Sequence, residues 1–197
     1  MKNTGVHPPI ILASASPRRL ELLQLLNIIF EVVPSAVEEA EHEGESPGDL
    51  VERNALAKAL DVARRRASGL IIGADTLVWL NDRAFGKPAD IEDARRMLRV
   101  LAGKTHQVYS GLAVVRIEDN KRLTAHEVTD VTFRPLSEEQ ITRYLGMIDP
   151  LDKAGAYAIQ GAGGIIVEKL CGCYYNVVGL PLNLLDTMLA PFGVRLL

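Results

Sequence analysis

Short apolar runs alternate along the chain with longer segments whose apolar residues recur at helical spacing. The short runs predict buried strands at 10–13 and 70–74 and further strands at 28–33 and 165–167, with 77–80 extending or pairing with the strand at 70–74. The longer segments predict helices at 17–26, 47–67, 91–101 and 181–189, and a short helix after Ser137. Two further segments, 107–117 and 123–133, flank a polar turn and predict a β-hairpin.

Capping residues mark the predicted helix starts. Ser16 precedes Pro17, a residue suited to the first helical position, and Asp90 precedes the third long helix. The spacing Ser137-x-x-Gln140 is a capping box. Because strands alternate with helices and one antiparallel hairpin interrupts them, the order favours an α/β (mixed α+β) fold with a central mixed sheet flanked by helices. We find no repeat or low-complexity linker, so a single domain over 1–197 is predicted.

Composition narrows the function classes. The 197 residues are 48% hydrophobic and 24% charged, a composition typical of a globular protein. The net charge is -3, so the chain lacks the surplus of basic residues that a general nucleic-acid or anionic-membrane binder requires. Cys171 and Cys173 are too close for a Cys-x-x-Cys motif, which predicts two reduced, buried thiols and an intracellular protein. We expect no secretory signal, since residues 1–9 lack a hydrophobic region, and no membrane span, since no apolar run reaches about 18 residues.

The segment Ser14-Ala15-Ser16-Pro17-Arg18-Arg19 joins a predicted strand to a predicted helix start. A helix N-terminus favours acidic side chains, yet this one carries two arginines. A bound anion would reverse that cost, since backbone N–H groups, hydroxyls and guanidiniums would converge on it. The segment therefore fits either a phosphate site or two solvated arginines.

Four other positions are candidates for chemistry. Asp75 directly follows a predicted buried strand, where it could hold a divalent metal, deprotonate a water or form a turn. Two lysines could each bind phosphate or be solvated. One is Lys87 in the turn Gly86-Lys87-Pro88, and the other is Lys58, which shares a helix face with Asn54 four residues before it. Gln160 leads a glycine loop that either approaches a ligand or only supplies a turn.

Taken together, these motifs resemble the Maf family. The motifs that match, in order, are Ser14–Arg19, Gly73–Thr76, Gly86–Pro88, Tyr109–Gly111, Ala154–Gly161 and Asn176–Pro181. The resemblance covers about residues 10 to 190 and implies a mixed α/β fold related to inosine triphosphate pyrophosphatases, with two lobes around a cleft. It also implies a cytoplasmic nucleoside triphosphate pyrophosphatase that uses a divalent metal cation, Mg²⁺ or Mn²⁺. Members often dimerise, so the resemblance allows a homodimer. Nucleic-acid and membrane partners are not expected.

The resemblance also implies roles for individual residues. Asp75 matches the family's proton acceptor, and Glu39 is the best match to an acidic metal or substrate ligand, with Asp75 sharing the metal. The substrate-binding positions that match are Ser14, Arg18, Lys58, Thr76, Lys87 and Gln160. The amide of Gln160 offers the donor and acceptor that uracil and thymine require, and a related branch that resembles 7-methyl-GTP pyrophosphatases has Glu there. We therefore expect hydrolysis of dTTP and UTP to the monophosphate and pyrophosphate. The alternative is a nucleotide-responsive regulatory protein in cell division or stress control.

Overall fold

The computed structural model describes residues 8–39 and 44–197. Within them, the strands are β1 (Ile10–Leu12), β2 (Phe30–Val32), β3 (Leu70–Leu80), β4 (Arg83–Phe85), β5 (Thr105–Arg116), β6 (Arg122–Phe133) and β7 (Val167–Cys171). The α-helices are α1 (Pro17–Gln24), α2 (Pro47–Ala63), α3 (Ile91–Leu101), α4 (Glu138–Leu145), α5 (Tyr174–Val178) and α6 (Leu182–Leu189). None of the helices in these ranges combines the length and the apolar character that crossing a membrane requires.

The strands form one mixed sheet in the order β2-β1-β3-β5-β6-β7, with β4 paired to β3. β1 runs parallel to both β2 and β3, whereas the pairs β3–β4 and β6–β7 are antiparallel. The N–H of Ile117 donates to the carbonyl of Gly69, so the end of β5 lies beside the start of β3 and these strands are antiparallel. The structure thus confirms the predicted mixed α/β fold.

The chain divides into two compact units. The first contains the described residues of Met1–Asp75, Gly111–His126 and Leu182–Leu197, and the second contains Thr76–Ser110 and Glu127–Pro181. Strands β3, β5 and β6 each have residues in both units.

In the first unit, helix α2 packs directly on the sheet. Its buried residues Ala55, Ala59 and Val62 share an apolar cluster with β1, β3 and β5. Glycines make this close approach feasible, because a Cβ added at Gly73 would lie 2.1 Å from the carbonyl oxygen of Ala55. The short distance between helix and strand brings polar residues of α2 within reach of β3.

In the second unit, α3 and α4 pack against the sheet around three aromatic rings. Phe133 and Tyr157 meet edge to face at a centroid distance of 4.7 Å, and His106 makes the same contact with Phe133 at 4.7 Å. His106 is only 1% exposed, and its Nε2 lies 2.8 Å from the Tyr157 hydroxyl. Burial lowers the pKa of His106 to about 4, so the ring is neutral in this core.

Several element predictions needed correction. The strand predicted at 165–167 begins instead at Val167 and continues to Cys171, after a 3₁₀ turn at Gly161–Ile165. Helix α2 ends at Ala63 rather than at 67, and β4 and α5 were not predicted.

The thiols are free, as predicted, but the prediction that they are buried was wrong: Cys171 is exposed and Cys173 is half-buried. The edge position of β7 in the sheet explains the exposure of Cys171.

Candidate active site

Asp75 lies inside β3, not directly after a strand as the sequence suggested. Its neighbour β1 ends at Leu12, paired with Ile72, so Asp75 stands beyond the end of the parallel pairing. The residue is 5% exposed. The position therefore still lies at the carboxyl edge of the parallel strands, which is where α/β folds place ligands.

Helix α2 supplies two buried donors to this carboxylate. The ammonium Nζ of Lys58 donates to Asp75 Oδ1 at 2.7 Å, and the Asn54 amide Nδ2 donates to Asp75 Oδ2 at 3.2 Å. Residues four apart share a helix face, so both donors reach the same side chain. The two oxygens of Asp75 are thus each engaged by a different donor.

Lys58 also binds a second carboxylate. Its Nζ lies 2.6 Å from Glu39 Oε1, so one ammonium joins Asp75 and Glu39. The segment before Glu39 is attached to α2 through Asp61, whose Oδ2 accepts hydrogen bonds from the Ser35 hydroxyl and the Ala36 N–H, each at 3.1 Å. The pKa of Asp61 is lowered, chiefly by the Ala36 N–H. This attachment holds the segment that leads to Glu39 against the helix.

The turn between β1 and α1 adds Ser14 and Arg19 to the first unit's polar cluster. Ser14 Oγ accepts hydrogen bonds from the Ser16 N–H and from Arg19 Nη1, both at 3.2 Å. Ser16 occupies the N-cap position, as predicted, but its side chain makes no capping hydrogen bond. Burial is the main cause of a lowered pKa for Arg19, and attraction to Asp75 and then to Glu39 opposes it. The guanidinium of Arg19 therefore lies in the field of both carboxylates.

Sequence reasoning missed two members of this cluster. It placed Arg18 ahead of Arg19, since the two point about 100° apart on a helix and spacing does not say which one faces the acids. Arg18 lies in the first turn of α1 and contributes a like charge near Arg19. Asn54 was noted only for sharing a face with Lys58. Its hydrogen bond to Asp75 joins residues 21 apart in the chain, and no local signal reports such a contact.

The second unit holds Thr76 in a separate hydrogen-bond network. Thr76 Oγ1 lies 2.9 Å from Ser110 Oγ, which donates to the backbone carbonyl of Asn176 at 2.9 Å. The Asn176 amide in turn donates to the Val108 carbonyl and to Thr129 Oγ1. Ser110 and Asn176 are fully buried. A buried, bonded network of this kind fixes the position of the threonine hydroxyl.

Lys87 and Gln160 lie on turns of the second unit. Lys87 is exposed and follows β4, and the carbonyl of the preceding Gly86 accepts the Gly155 N–H at 3.0 Å. Gln160 is half-buried and directly precedes the 3₁₀ turn, where Gly161 adopts a positive φ of 59°. The structure thus brings Ser14, Glu39, Lys58 and Asp75 together in one unit and places Thr76, Lys87 and Gln160 in the other.

Two carboxylates, Asp75 and Glu39, already share one cation, the Lys58 ammonium. Among the residues that the structure describes, no group of three or more His, Cys, Asp or Glu side chains is arranged to hold a metal ion. Asp75 and Glu39 are therefore the carboxylates, among the described residues, that would serve as acidic ligands of a cation at this position.

Fold and site define a mixed α/β protein in which a buried carboxylate and a buried lysine join an exposed carboxylate and an arginine at the end of parallel strands. The family model described as Maf-like protein matches residues 9–192, and the chain belongs to this family. A dTTP/UTP pyrophosphatase of Desulforamulus reducens is 50% identical over 188 residues, covering 95% of this chain and 98% of the relative. A dTTP/UTP pyrophosphatase of Bacillus cereus strain B4264 is 48% identical over 185 residues, covering 94% and 96%.

Proposed function

We propose that this protein is a nucleoside triphosphate pyrophosphatase that hydrolyses dTTP and UTP to the monophosphate and pyrophosphate. The observation that carries the proposal is the hydrogen-bonded cluster in which the buried Asp75, Lys58 and Asn54 join the exposed Glu39, beside Ser14 and Arg19. It combines a base with cationic groups that can exchange carboxylate partners for phosphate oxygens. The relatives described above, named dTTP/UTP pyrophosphatases, support the same substrates.

Asp75 is the proton acceptor in this proposal. A water oxygen attacks the α-phosphorus and loses a proton to Asp75, the bond between the α-phosphorus and the bridging oxygen breaks, and pyrophosphate leaves. Asn54 keeps one carboxylate oxygen oriented while Lys58 turns from the other toward the phosphates. Arg18, Lys58 and Lys87 then stabilise charge on the leaving group, because charge-assisted hydrogen bonds to phosphate oxygens strengthen as that charge grows.

The donor set fits a divalent cation. Mg²⁺ and Mn²⁺ prefer hard oxygen ligands, and Mg²⁺ is commonly held by one or two carboxylates together with substrate phosphates. Asp75 and Glu39 would supply those carboxylates, in the place where they now share the Lys58 ammonium. When bound, such a cation supplies neutralisation of phosphate charge and activation of water.

Thr76 and Gln160 are the base-selecting residues in this proposal. An amide presents one donor and one acceptor, which match the N–H and carbonyl of uracil and thymine. The N–H donors on the edge of guanine suit a carboxylate instead. A mispaired polar group in a closed site costs about 1–3 kcal/mol, so one amide can produce a clear preference.

The test is pyrophosphate release from dTTP, UTP, CTP, GTP and 7-methyl-GTP, with and without EDTA. We expect hydrolysis of dTTP and UTP that EDTA abolishes, and a loss of their preference in Gln160→Glu. A wild type that prefers GTP or 7-methyl-GTP would refute the pyrimidine assignment. Tight nucleotide binding without turnover would favour the regulatory alternative. A homodimer and a cytoplasmic location stay predictions.

A further inference from the structure

The backbone just before Gln160 is attached to the core by one buried phenol. Tyr144, near the end of α4, is 3% exposed. Its hydroxyl donates to the carbonyl of Ala158 at 3.3 Å and accepts the N–H of the same residue at 3.2 Å. Both polar backbone groups of Ala158 are therefore satisfied by a single side-chain atom, two residues before Gln160.

The other side of Ala158 is restrained by the glycine turn. A Cβ added at Gly163 would lie 1.6 Å from the Ala158 carbonyl oxygen, so the two backbones are in close contact. The Gly163 N–H donates to the carbonyl of Gln160 at 3.1 Å. Ala158 is thus held between the Tyr144 hydroxyl and Gly163. Gln160 lies in the short segment between Ala158 and Gly163, so both of these contacts restrain its backbone.

We propose that Tyr144 is a positioning residue for base selection, whose hydroxyl fixes the backbone that carries Gln160. This inference rests on the role given to Gln160 under the proposed function. Tyr144 acts on the substrate only through that backbone. Burial raises the pKa of Tyr144, so its hydroxyl keeps the proton that it donates to Ala158 throughout the working pH range.

The experiment compares wild type with Tyr144→Phe, Gln160→Ala and the double variant, and measures kcat and KM for UTP and GTP. Tyr144→Phe keeps the ring and removes the two hydrogen bonds. We expect it to raise KM for UTP and to lower the UTP-over-GTP ratio of kcat/KM about 5- to 30-fold, as expected for one or two lost hydrogen bonds. The double variant should match Gln160→Ala, since Tyr144 acts through Gln160.

Ile141→Val is the matched control, because Ile141 lies on the same helix, is 1% exposed and belongs to the same core cluster. It should lower the thermal midpoint while leaving the substrate ratio unchanged, which separates positioning from general stability. If Tyr144→Phe is unfolded at the assay temperature, Gly163→Ala replaces it, since its Cβ would displace the same carbonyl and should lower the same ratio.

Three outcomes would overturn the inference, and they are distinguishable. An unchanged ratio in Tyr144→Phe, with a changed ratio in Gln160→Ala, refutes the role of Tyr144 alone. Additive effects in the double variant also refute it, because they show action through another group. A wild type that hydrolyses neither dTTP nor UTP refutes the proposed function and this inference together.

Discussion

Replacing Asp75 by asparagine is the most direct test of the site, because it separates chemistry from folding. Asp75 receives one hydrogen bond on each oxygen, from Lys58 and from Asn54. An amide has only one oxygen, so in Asp75→Asn one of these donors must face an N–H group. The loss of a hydrogen bond to a charged group costs about 1.5–3 kcal/mol. Lys58 keeps its contact with Glu39, so the larger penalty of an unpaired buried charge is avoided.

The free energy of unfolding should therefore fall by about 1.5–3 kcal/mol, which corresponds to roughly 3 to 12 °C in the thermal midpoint of a chain this long. Turnover should fall much further, on the order of 10² to 10⁴ in kcat, because the proton acceptor is lost. Thermal unfolding followed by circular dichroism and pyrophosphate release from UTP measure the two effects separately.

The control is Glu31→Gln on β2, which breaks the ion pair of Glu31 with Arg66 and should leave kcat unchanged. A folded Asp75→Asn protein with the kcat of the wild type would refute the assignment of Asp75 as proton acceptor. A loss of turnover no larger than that of the control would refute it equally.

Two further predictions concern the arginine turn and the buried histidine. Arg18→Ala and Arg19→Ala should each raise KM for UTP and lower kcat/KM about tenfold or more. Arg64→Ala, an exposed control at the end of α2, should leave both unchanged in steady-state kinetics. An unchanged kcat/KM in either variant would show that its arginine does not contact the substrate. Burial lowers the pKa of His106 from 6.5 to about 4. As the pH falls, the unfolded chain therefore binds a proton at this residue before the folded protein does. The free energy of unfolding should fall by about 3 kcal/mol between about pH 6.5 and about pH 4. His106→Gln should lack that part of the pH dependence, and identical pH dependence in urea unfolding of both proteins would contradict the prediction.

Local patterns predicted the features that depend on neighbouring residues. The capping box at Ser137, the cap at Asp90 and the start of α2 at Pro47 all lie where the sequence predicted them. The shared face of Asn54 and Lys58 also follows from helical spacing alone. Such features are predictable because a cap or a helix face is determined by residues within one or two turns.

The partners within the site depend on contacts between distant segments. Lys58 contacts Glu39 across 19 residues and Asp75 across 17. The contact with Asp75 is possible because Gly73 lets α2 approach β3 closely. Which arginine faces the carboxylates depends on the rotation of α1 against the sheet. The sequence by itself determined the types and order of the groups, through the family motifs and the helix and strand periods. Only the tertiary structure decided which groups pair, because strand register and helix packing set those distances.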